Sequence, residues 1–567
     1  QEIYAQLTGP GGPFEVVVEE VNGRPTEVYK ERMRSLGDIL AIARARGDDN
    51  PYIVQGDRRI GFETFVDTAY ATSAGLAELG VGHGDRVAVL AQNCPEWCLA
   101  FWGSVGMGAV LVGLNGWWKA DEIVYGLQDS GAKVLVADRK RLERVVKDLD
   151  ECPDLEHVLL VDCDPKDLGL DGDSRVRRFD DLVTTPTSTP PTATIAEDDP
   201  ATILYTSGTT GRPKGAVSTH RNMIANLQNT LFSSVSGAML TGNELIPTGG
   251  QTVSLFTSPL FHVSGLHSGV VVGLLAGLRL VMIEGRFDPI KAFEIIQDEG
   301  VTIWATVPTM VWRACEHPAR HDYDTSSVRT VGFGGSPSAD ELQRMVRETF
   351  PNVKGGSNAY GLTETSSVAT VLSPQESVDR PDSVGRPVPT VRIRIADDLG
   401  GDVPIGETGE VLITGPTLMA GYWGKPEATA ESIRDGWLHT GDIGRLDDEG
   451  YLFITDRKKD MIIRGGENIY CVEIENRLVE HPSIADAAVI GVAHPELGEE
   501  VKAVVQVEPG HTITEDEVRQ WVRETLAGFK VPAYVEIREE KLPRNASGKL
   551  LKNVLRGSGD VSFAETM

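Results

Sequence analysis

Apolar strand signals alternate with helical ones in the first third of the chain, and this alternation constrains the fold more than any other feature. Three short segments rich in Val, Leu and Ala have this character: Arg86–Ala91, Lys133–Asp138 and His157–Asp162. Apolar residues with helical spacing precede the first segment from Phe65 to Leu79, and Gly80 can end that helix. Strands that alternate with helices form largely parallel sheets covered on both faces. We therefore expect an α/β fold whose large N-terminal domain contains layered αβ subdomains and a parallel-rich sheet.

The chain of 567 residues is long enough for more than one domain. Residues Thr184–Pro200 are rich in Thr and Pro, which predicts an extended surface connector. A charge cluster, Asp456–Asp460, follows a strand signal, and a fresh pattern of strands and helices begins after it. We predict a large domain over 1–455, a hinge over 456–460 and a small, mobile α+β domain over 461–567.

Composition argues against several classes of protein. The formal net charge of −29 argues against a nucleic-acid partner. The uncharged segment Trp97–Trp118 contains five glycines, which favours a buried helix–turn–strand over a membrane span. Cys94 and Cys98 lack the partners of a metal site and are expected to be buried free thiols. With no signal-peptide pattern, we expect a cytoplasmic protein without a transmembrane segment; transient membrane association and a homodimer stay open.

The segment Thr206–Gly215, with the sequence TSGTTGRPKG, indicates a polyphosphate-binding loop. Its three glycines let the backbone approach a ligand, its four hydroxyls add donors, and Lys214 adds a positive charge. It is not a Walker A loop, because Pro213 precedes the lysine and Gly215 follows it. The alternative is a flexible surface turn. No intact G-x-G-x-x-G supports a dinucleotide fold.

Several further motifs follow the loop in order along the chain. They are Ser258–Gly265, Gly334–Ser336, Asn358–Glu364, Trp437–Asp442, Asp456–Asp460, Gly465–Asn468 and Leu542–Lys549. Together they make the chain, from about Leu36 to Leu555, resemble the acyl-CoA synthetases of the adenylate-forming (AMP-binding) superfamily. The first 35 residues lie outside this resemblance, and the sequence indicates no function for them.

The resemblance implies an ATP-dependent acyl-CoA ligase. Such an enzyme converts a carboxylic acid to an acyl-adenylate with release of pyrophosphate, and then transfers the acyl group to coenzyme A. ATP and coenzyme A would be co-substrates and Mg²⁺ the cofactor. An acyl-adenylate enzyme that loads a carrier protein and a noncatalytic nucleotide-binding protein are the alternatives, although a noncatalytic relative would be expected to lack Glu364 or Lys549.

The family pattern also implies roles for individual residues in nucleotide binding. Residues assigned to the phosphates are Thr206, Ser207, Gly208, Thr209, Thr210, Gly211 and Lys214, with Thr363 at the α-phosphate and Glu364 as the Mg²⁺ ligand. Residues assigned to the adenine and the border of the acyl pocket are Gly334, Gly335, Ser336, Asn358, Ala359, Tyr360 and Gly361. Asp442 is assigned to the ribose hydroxyls and Arg457 to the ribose or a phosphate. Each residue, taken alone, would be an ordinary turn or surface residue.

Catalysis and the substrate channel would involve both predicted domains. Lys549 is expected to stabilise the charge that shifts between the carboxylate and the α-phosphate. Lys459 matches the hinge position about which the small domain rotates, and that rotation would bring Gly465 and Gly466 to the pantetheine channel.

The acyl side of the channel is expected to involve His262, Thr306, Val307 and Gly334. Its segments carry no Lys or Arg, so a monocarboxylic acid is expected. A medium- or long-chain fatty acid is favoured over an aryl or steroid acid.

Overall fold

The computed structural model describes residues 2–183, 185–206, 212–241, 250–334, 340–353, 357–397, 399–458, 460–464, 467–495, 497–544 and 550–557. At positions 241, 308–309, 333–334, 340–341 and 467–468 it describes the backbone alone.

A mixed sheet of eight described strands contains the predicted parallel strands. In spatial order its strands are Gly421–Tyr422, Lys214–Thr219, Pro200–Thr206, Val110–Gly113, Arg86–Leu90, Val134–Ala137, His157–Leu160 and Val176–Arg178. The six strands from Pro200–Thr206 to Val176–Arg178 are parallel. The alternation in the sequence therefore predicted this sheet correctly, and Pro200–Thr206 also brings the polyphosphate loop to its carboxyl edge.

A second mixed sheet of nine described strands carries most of the other motifs. In spatial order its strands are Arg386–Pro387, Ser367–Leu372, Ser357–Leu362, Thr330–Gly334, Ile303–Thr306, Val253–Phe256, Arg279–Met282, Pro51–Gln55 and Arg58–Gly61. Its central strands are parallel. The strands that carry Gly334 and the Asn358 motif are therefore neighbours in the sheet, and Gly334 pairs with Ala359.

Helices cover both sheets. The described α-helices of the first 440 residues are Glu2–Thr8, Gly37–Arg44, Phe62–Glu78, Pro95–Gly106, Ala120–Ser130, Arg139–Leu142, Phe179–Leu182, His220–Thr241, Val263–Gly265, Val272–Ala276, Pro289–Glu299, Pro308–Glu316, Asp340–Thr349, Pro374–Asp379 and Pro426–Ser432. The predicted helix ends at Glu78, just before Gly80 with its φ of +79°. The segment between the strands Val134–Ala137 and His157–Leu160, which alternates helical with strand signals, forms only the helix Arg139–Leu142 and a 3₁₀ turn, Leu149–Glu151.

The main core lies between the two sheets. Its largest fully buried side chains include Trp97, Trp102 and Phe101 on the helix Pro95–Gly106, and Tyr52 on the second sheet. This helix, the turn after it and the strand Val110–Gly113 confirm the helix–turn–strand prediction for Trp97–Trp118. Cys94 and Cys98 are buried free thiols, as predicted. None of the helices in the described ranges is long and apolar enough to span a bilayer.

The last third of the chain contains two smaller sheets. The first comprises Arg392–Ala396, Gly409–Thr414, Trp437–Leu446, Ile433–Arg434 and Leu452–Arg457. The second comprises Glu467–Ile469, Ile462–Arg464, Gly498–Val507, Ile484–His494 and Tyr534–Arg538, with helices Cys471–Val479, Glu515–Arg523 and Lys552–Leu555. The second sheet has its own core of Ile, Val and Leu side chains. The exact domain boundaries stay predictions.

The N-terminal segment outside the family resemblance packs on the long helix His220–Thr241. It forms a hairpin, Val16–Val21 with Arg24–Tyr29. The Tyr29 hydroxyl donates to Asn229 Oδ1 at 2.7 Å, and the Phe14 ring meets the Phe232 ring at 5.6 Å. These contacts bury one face of the helix and give the segment a structural role.

Candidate functional site

Asp442 lies at the centre of the predicted ribose site and is only 2% exposed. Its carboxylate accepts a hydrogen bond of 2.6 Å from the Tyr360 hydroxyl and pairs with Arg457 Nε at 2.8 Å. The fold produces this trio because Asp442 and Arg457 are register partners on adjacent antiparallel strands. Burial, together with the adjacent Asp442 carboxylate, raises the pKa of Tyr360 well above its usual value, so the phenol stays protonated and donates. Three predicted nucleotide-binding residues therefore converge here.

The two ends of the polyphosphate loop are held together by a hairpin. Thr206 and Lys214 are register partners, and Thr206 Oγ1 donates to the Lys214 carbonyl at 3.3 Å. The Tyr125 hydroxyl donates to the Pro213 carbonyl at 2.9 Å, and the Arg212 guanidinium lies 5.0 Å from the Tyr125 ring centre. The residues between these ends, Ser207, Gly208, Thr209, Thr210 and Gly211, lie outside the described residues.

Lys214 and Glu364 lie on two sides of Tyr422. The Lys214 ammonium is 4.8 Å from the Tyr422 ring centre, and the Tyr422 hydroxyl donates to Glu364 Oε1 at 2.8 Å. Burial and the Glu364 carboxylate raise the pKa of the Tyr422 phenol. A cation and a carboxylate beside the polyphosphate loop are the groups that a phosphate with its metal ion requires.

Glu364 and Thr363 belong to a short 3₁₀ turn, Thr363–Thr365, which is followed by strained backbone. Ser366 has a φ of +52° and Ser367 a φ of +110°, values that residues other than glycine rarely adopt. Such strain is common at functional sites. The sequence motif gave no sign of it, because serines usually adopt ordinary backbone angles.

Magnesium chemistry fits Glu364. The residues described by the structure contain no cluster of three or more His, Cys, Asp or Glu side chains suited to hold a metal. Mg²⁺ is commonly bound through one or two carboxylates together with substrate phosphates and water. The Glu364 carboxylate, which shares contact with Tyr422 with the Lys214 ammonium, is the kind of ligand that suits an ion arriving with a nucleotide.

The predicted acyl side of the site is formed by aromatic and small side chains. The His262 ring lies 4.6 Å from the Phe261 ring, which meets the Trp117 ring at 5.3 Å. Burial lowers the pKa of His262 to about 4, so it is neutral at physiological pH although part of its surface stays accessible. Thr306 is buried and accepts a hydrogen bond from the Thr257 hydroxyl at 2.9 Å, whereas Val307 is partly exposed.

Ala305 is exposed in the middle of the nine-stranded sheet, where an accessible side chain is unexpected. A Cβ placed on its register partner Gly332 would lie 3.4 Å from Ala305 Cβ and 3.1 Å from Ser357 Oγ. Three small residues on adjacent strands thus form an open floor. On the opposite face of the sheet, Trp304 is fully buried against helices.

The structure describes some of the other residues predicted for the adenine site and not others. Asn358 is buried, and its Nδ2 donates to the Ser383 carbonyl at 3.5 Å; Ala359 is half-buried; Gly361 packs directly against the Ser367 backbone. The backbone of Gly334 pairs with Ala359. Predicted residues that lie outside the described ranges are Gly335, Ser336, Lys459, Gly465, Gly466 and Lys549.

The hinge segment is described except for Lys459. Asp456 is buried and accepts a hydrogen bond from the amide of Cys471, the first residue of the helix Cys471–Val479. Burial raises the pKa of Asp456 to about 6. Arg556, after the last described helix, pairs with Asp460 at 3.2 Å. These contacts join the predicted hinge to the C-terminal part of the chain.

Sequence reasoning missed several residues that brace the site. Tyr422 and Lys425 come from a segment that carried no predicted role, and Lys425 pairs with Asp129, which also accepts from the Tyr205 hydroxyl at 2.9 Å. Asn93 makes two hydrogen bonds to the Ser258–Gly265 motif. Its Nδ2 donates to the Ser258 carbonyl at 2.8 Å, and its Oδ1 accepts from the Leu260 amide at 3.0 Å. Only the fold brings these positions together.

Comparison with known proteins shows which family the chain resembles. The family model of the AMP-binding enzymes matches residues 41–423, and that of the AMP-binding enzyme C-terminal domain matches residues 473–549. A feruloyl-CoA synthase from Amycolatopsis sp is 38% identical over 483 residues, covering 85% of this chain and 90% of the relative. A long-chain-fatty-acid–CoA ligase from Bacillus subtilis is 32% identical over 549 residues, covering 92% of this chain and 94% of the relative.

A solved structure of a relative shows the same fold around a reaction intermediate. The o-succinylbenzoate CoA synthetase from Bacillus subtilis, in complex with its acyl-adenylate, superposes with a TM-score of 0.75 at 30% identity. The match covers 93% of this chain and 98% of the relative. The chain thus belongs to the family of AMP-binding enzymes and is an ATP-dependent acid–CoA ligase that forms AMP.

Proposed function

We propose that the acid activated by this ligase is a bulky apolar monocarboxylic acid, with medium- and long-chain fatty acids as the first candidates. One observation carries this proposal: Ala305 is exposed at the centre of the nine-stranded sheet. A central strand normally buries both of its faces in a protein with helices on each side. An exposed alanine there is best explained by a cavity over the sheet.

Small side chains would make such a cavity deep. Ala305, Gly332 and Ser357 lie side by side on adjacent strands and project little or nothing above the sheet. Larger residues at these positions would fill the space in which an acyl chain can lie. Substrate pockets of this kind are mostly apolar, with a few polar groups that orient the ligand.

Charge in the cavity favours a single carboxylate. The described residues of the acyl-side segments, 258–268, 305–307, 310 and 357–362, contain no Lys or Arg. His262 is neutral at physiological pH because burial lowers its pKa to about 4. A second carboxylate at the far end of the substrate would therefore be desolvated without a cationic partner, which is unfavourable.

We propose that the nucleotide lies between the Asp442, Arg457 and Tyr360 trio and the pair Lys214 and Glu364. Asp442 and Arg457 would bind the ribose, and Thr206–Lys214 would bind the phosphates. Tyr360 with Ala359, Gly361 and the Gly334–Ser336 motif would border the adenine. Thr363 would contact the α-phosphate. Glu364 would hold Mg²⁺, which neutralises phosphate charge when bound. Lys549 would approach from the small domain, with Lys459 as the hinge residue and Gly465 and Gly466 along the pantetheine channel.

The reaction then has two steps in one site. A carboxylate oxygen bonds to the α-phosphorus of ATP while the bond from that phosphorus to the β-bridging oxygen breaks, which releases pyrophosphate. The sulfur of coenzyme A next bonds to the acyl carbon, the bond from that carbon to the AMP oxygen breaks, and the thiol proton is released. Both steps concentrate negative charge on phosphates, so positioned cations and donors such as Lys214 and Lys549 supply the catalysis.

Aromatic acids are the second candidate. The adjoining rings of Trp117, Phe261 and His262, which meet edge-on and tilted, offer an aromatic surface for a planar ring, and Trp117 is 37% exposed. The 38% identical relative is named for feruloyl-CoA synthesis. Ring acids therefore belong in any test of specificity.

The deciding experiment is a panel of acids assayed for pyrophosphate release with and without coenzyme A. The panel contains saturated fatty acids from butyrate to stearate, cinnamic acids, a steroid-ring propanoate and matched dicarboxylates. We expect the highest kcat/KM with the longer apolar monocarboxylates and at least tenfold lower values with the dicarboxylates. AMP and acyl-CoA should form only with coenzyme A. A preference for dicarboxylates, or acyl transfer to a carrier protein alone, would contradict the proposal.

The variant Ala305→Leu tests whether the acyl group lies over the sheet. The added atoms should shorten the longest acid accepted, so that kcat/KM falls for stearate and much less for butyrate. Ala430→Leu, at an exposed position on the helix Pro426–Ser432, is the matched control and should leave the profile unchanged. An unchanged chain-length profile for Ala305→Leu would place the acyl group elsewhere.

A further inference from the structure

The turn after Glu364 is strained, and the fold must hold it in place. Ser366 and Ser367 have φ values of +52° and +110°. A non-glycine residue in such a conformation costs about 1–3 kcal/mol and persists only when its surroundings compensate. Because Ser366 comes two residues after Glu364, any relaxation of the turn would move the Glu364 carboxylate and the Thr363 hydroxyl.

Hydrogen bonds from two elements, the strand Lys214–Thr219 and the π-helical turn Leu266–Val271, converge on this turn. Ser218 Oγ lies 2.8 Å from Ser366 Oγ, and Ser268 Oγ lies 2.7 Å from Ser367 Oγ. The His267 Nδ1 atom lies 3.0 Å from the Ser366 carbonyl oxygen. Ser218 belongs to the strand that begins at Lys214, so the contacts connect the polyphosphate loop to the turn.

His267 has a second partner on the other side of that loop. Its Nε2 atom lies 3.3 Å from the hydroxyl of Thr202, on the strand Pro200–Thr206 that leads into the loop. His267 and Thr202 are both completely buried. The imidazole therefore bridges the strand before the polyphosphate loop and the turn that carries Thr363 and Glu364.

The chemistry of the partners defines the state of this histidine. A carbonyl oxygen only accepts, so Nδ1 carries a proton and donates to Ser366. Burial lowers the pKa of His267 to about 4, so the ring is neutral and Nε2 accepts from the Thr202 hydroxyl. His267 lies on a π-helical turn, Leu266–Val271, an irregularity found often at functional sites.

We propose that His267 is a positioning residue for the adenylation step, which holds the Ser366–Ser367 turn so that Thr363 and Glu364 face the phosphates. This inference rests on the roles proposed above for Thr363 and Glu364. His267 does not contact the reacting atoms in this proposal; it acts through the Ser366 carbonyl. Loss of the imidazole would leave a buried carbonyl and a buried hydroxyl without a partner.

Two amide variants separate positioning from simple packing. In His267→Asn the side-chain amide nitrogen falls near the Nδ1 position and can donate to Ser366. In His267→Gln it falls near Nε2 and cannot make that bond without displacing its neighbours. We expect His267→Asn to keep most of the adenylation activity. We expect His267→Gln and His267→Leu to lower kcat for pyrophosphate release at least tenfold and to raise the Mg²⁺ concentration for half-maximal rate, with little change in KM for the acid.

A second buried histidine offers the matched control. His220 is also completely buried, its pKa is likewise lowered to about 4 by burial, and its Nδ1 accepts from the Leu36 amide. His220→Asn should lower the melting temperature and leave the Mg²⁺ dependence unchanged. If the His267 variants lose stability alone, with wild-type kcat and Mg²⁺ dependence in the folded fraction, or if Asn and Gln behave alike, the positioning role is wrong.

The variant Glu364→Gln separates this inference from the proposed function. It should raise the Mg²⁺ requirement if Glu364 holds the ion. A shift with Glu364→Gln but none with His267→Gln overturns the role of His267 alone. No shift with Glu364→Gln overturns the proposed metal site itself, and the inference about His267 with it.

Discussion

Asp442 accepts hydrogen bonds from Tyr360 and Arg457 although almost no solvent reaches it. A carboxylate can accept about four hydrogen bonds, so one position on each oxygen is left for the two ribose hydroxyls that we propose it binds. The neighbours fix the direction of both oxygens before a sugar binds, which lowers the entropy cost of binding. At the scale of one residue, the proposed ribose site is preorganised because the charge of Asp442 is already paired with Arg457.

Asp442→Asn tests this preorganisation. The amide loses the charge that pairs with Arg457 and presents a donor where one ribose hydroxyl should donate. Hydrogen bonds to charged groups contribute about 1.5–3 kcal/mol, so KM for ATP should rise about 10- to 100-fold. The measurement is KM for ATP and for the acid in the pyrophosphate-release assay, with the exposed Asp171→Asn as control. An unchanged KM for ATP would remove Asp442 from the ribose site.

At the scale of elements, the strand Ser357–Leu362 and the strained turn fit against each other without spare room. A Cβ added to Gly361 would overlap the Ser367 carbonyl oxygen. The strand proposed to border the adenine and the Thr363–Glu364 turn are therefore one packed unit, and a methyl group at Gly361 has to push them apart. Glycine is required here by close approach of two backbones and not by its own φ.

Gly361→Ala should destabilise the protein and slow adenylation together. Overpacking of this kind costs about 1–3 kcal/mol, which thermal or urea unfolding can measure. Gly172→Ala is the matched control, since a Cβ at Gly172 meets nothing within 4 Å and should leave both properties unchanged. A Gly361→Ala protein with wild-type stability and pyrophosphate release would show that the turn can move freely.

The sequence predicted local elements well and long-range contacts poorly. The parallel strands and the helix Phe62–Glu78 were predictable because apolar periodicity is a local property. The contact of Tyr422 with Glu364 spans 58 residues, and that of His267 with Ser366 spans 99 residues. One sequence carries no signal for such pairings. The helical pattern between the strands Val134–Ala137 and His157–Leu160 forms only the short helix Arg139–Leu142 and the 3₁₀ turn Leu149–Glu151.

At the scale of the whole molecule, the proposed site is incomplete on the large domain alone. Asp442, Glu364 and Lys214 lie there, whereas Lys549, Gly465 and Gly466 come from the C-terminal part of the chain. The lysine and the glycine pair lie far apart in the sequence of that part. Because the roles proposed for them belong to different steps, we propose that each step of the reaction has its own orientation of the small domain.

Two substitutions should therefore impair opposite halves of the reaction. Lys549→Ala should slow acyl-adenylate formation about 100-fold or more, the usual effect of losing one transition-state cation or donor, and spare thioester formation from supplied acyl-adenylate. Gly466→Leu should do the reverse, because a side chain would obstruct the thiol. Lys166→Ala and Gly172→Leu, at exposed positions, are the controls. Each half-reaction is measured separately, by pyrophosphate release and by AMP release with coenzyme A. Equal losses in both halves for either variant would mean that one fixed arrangement performs both steps, since only a change of orientation makes the two residues separable.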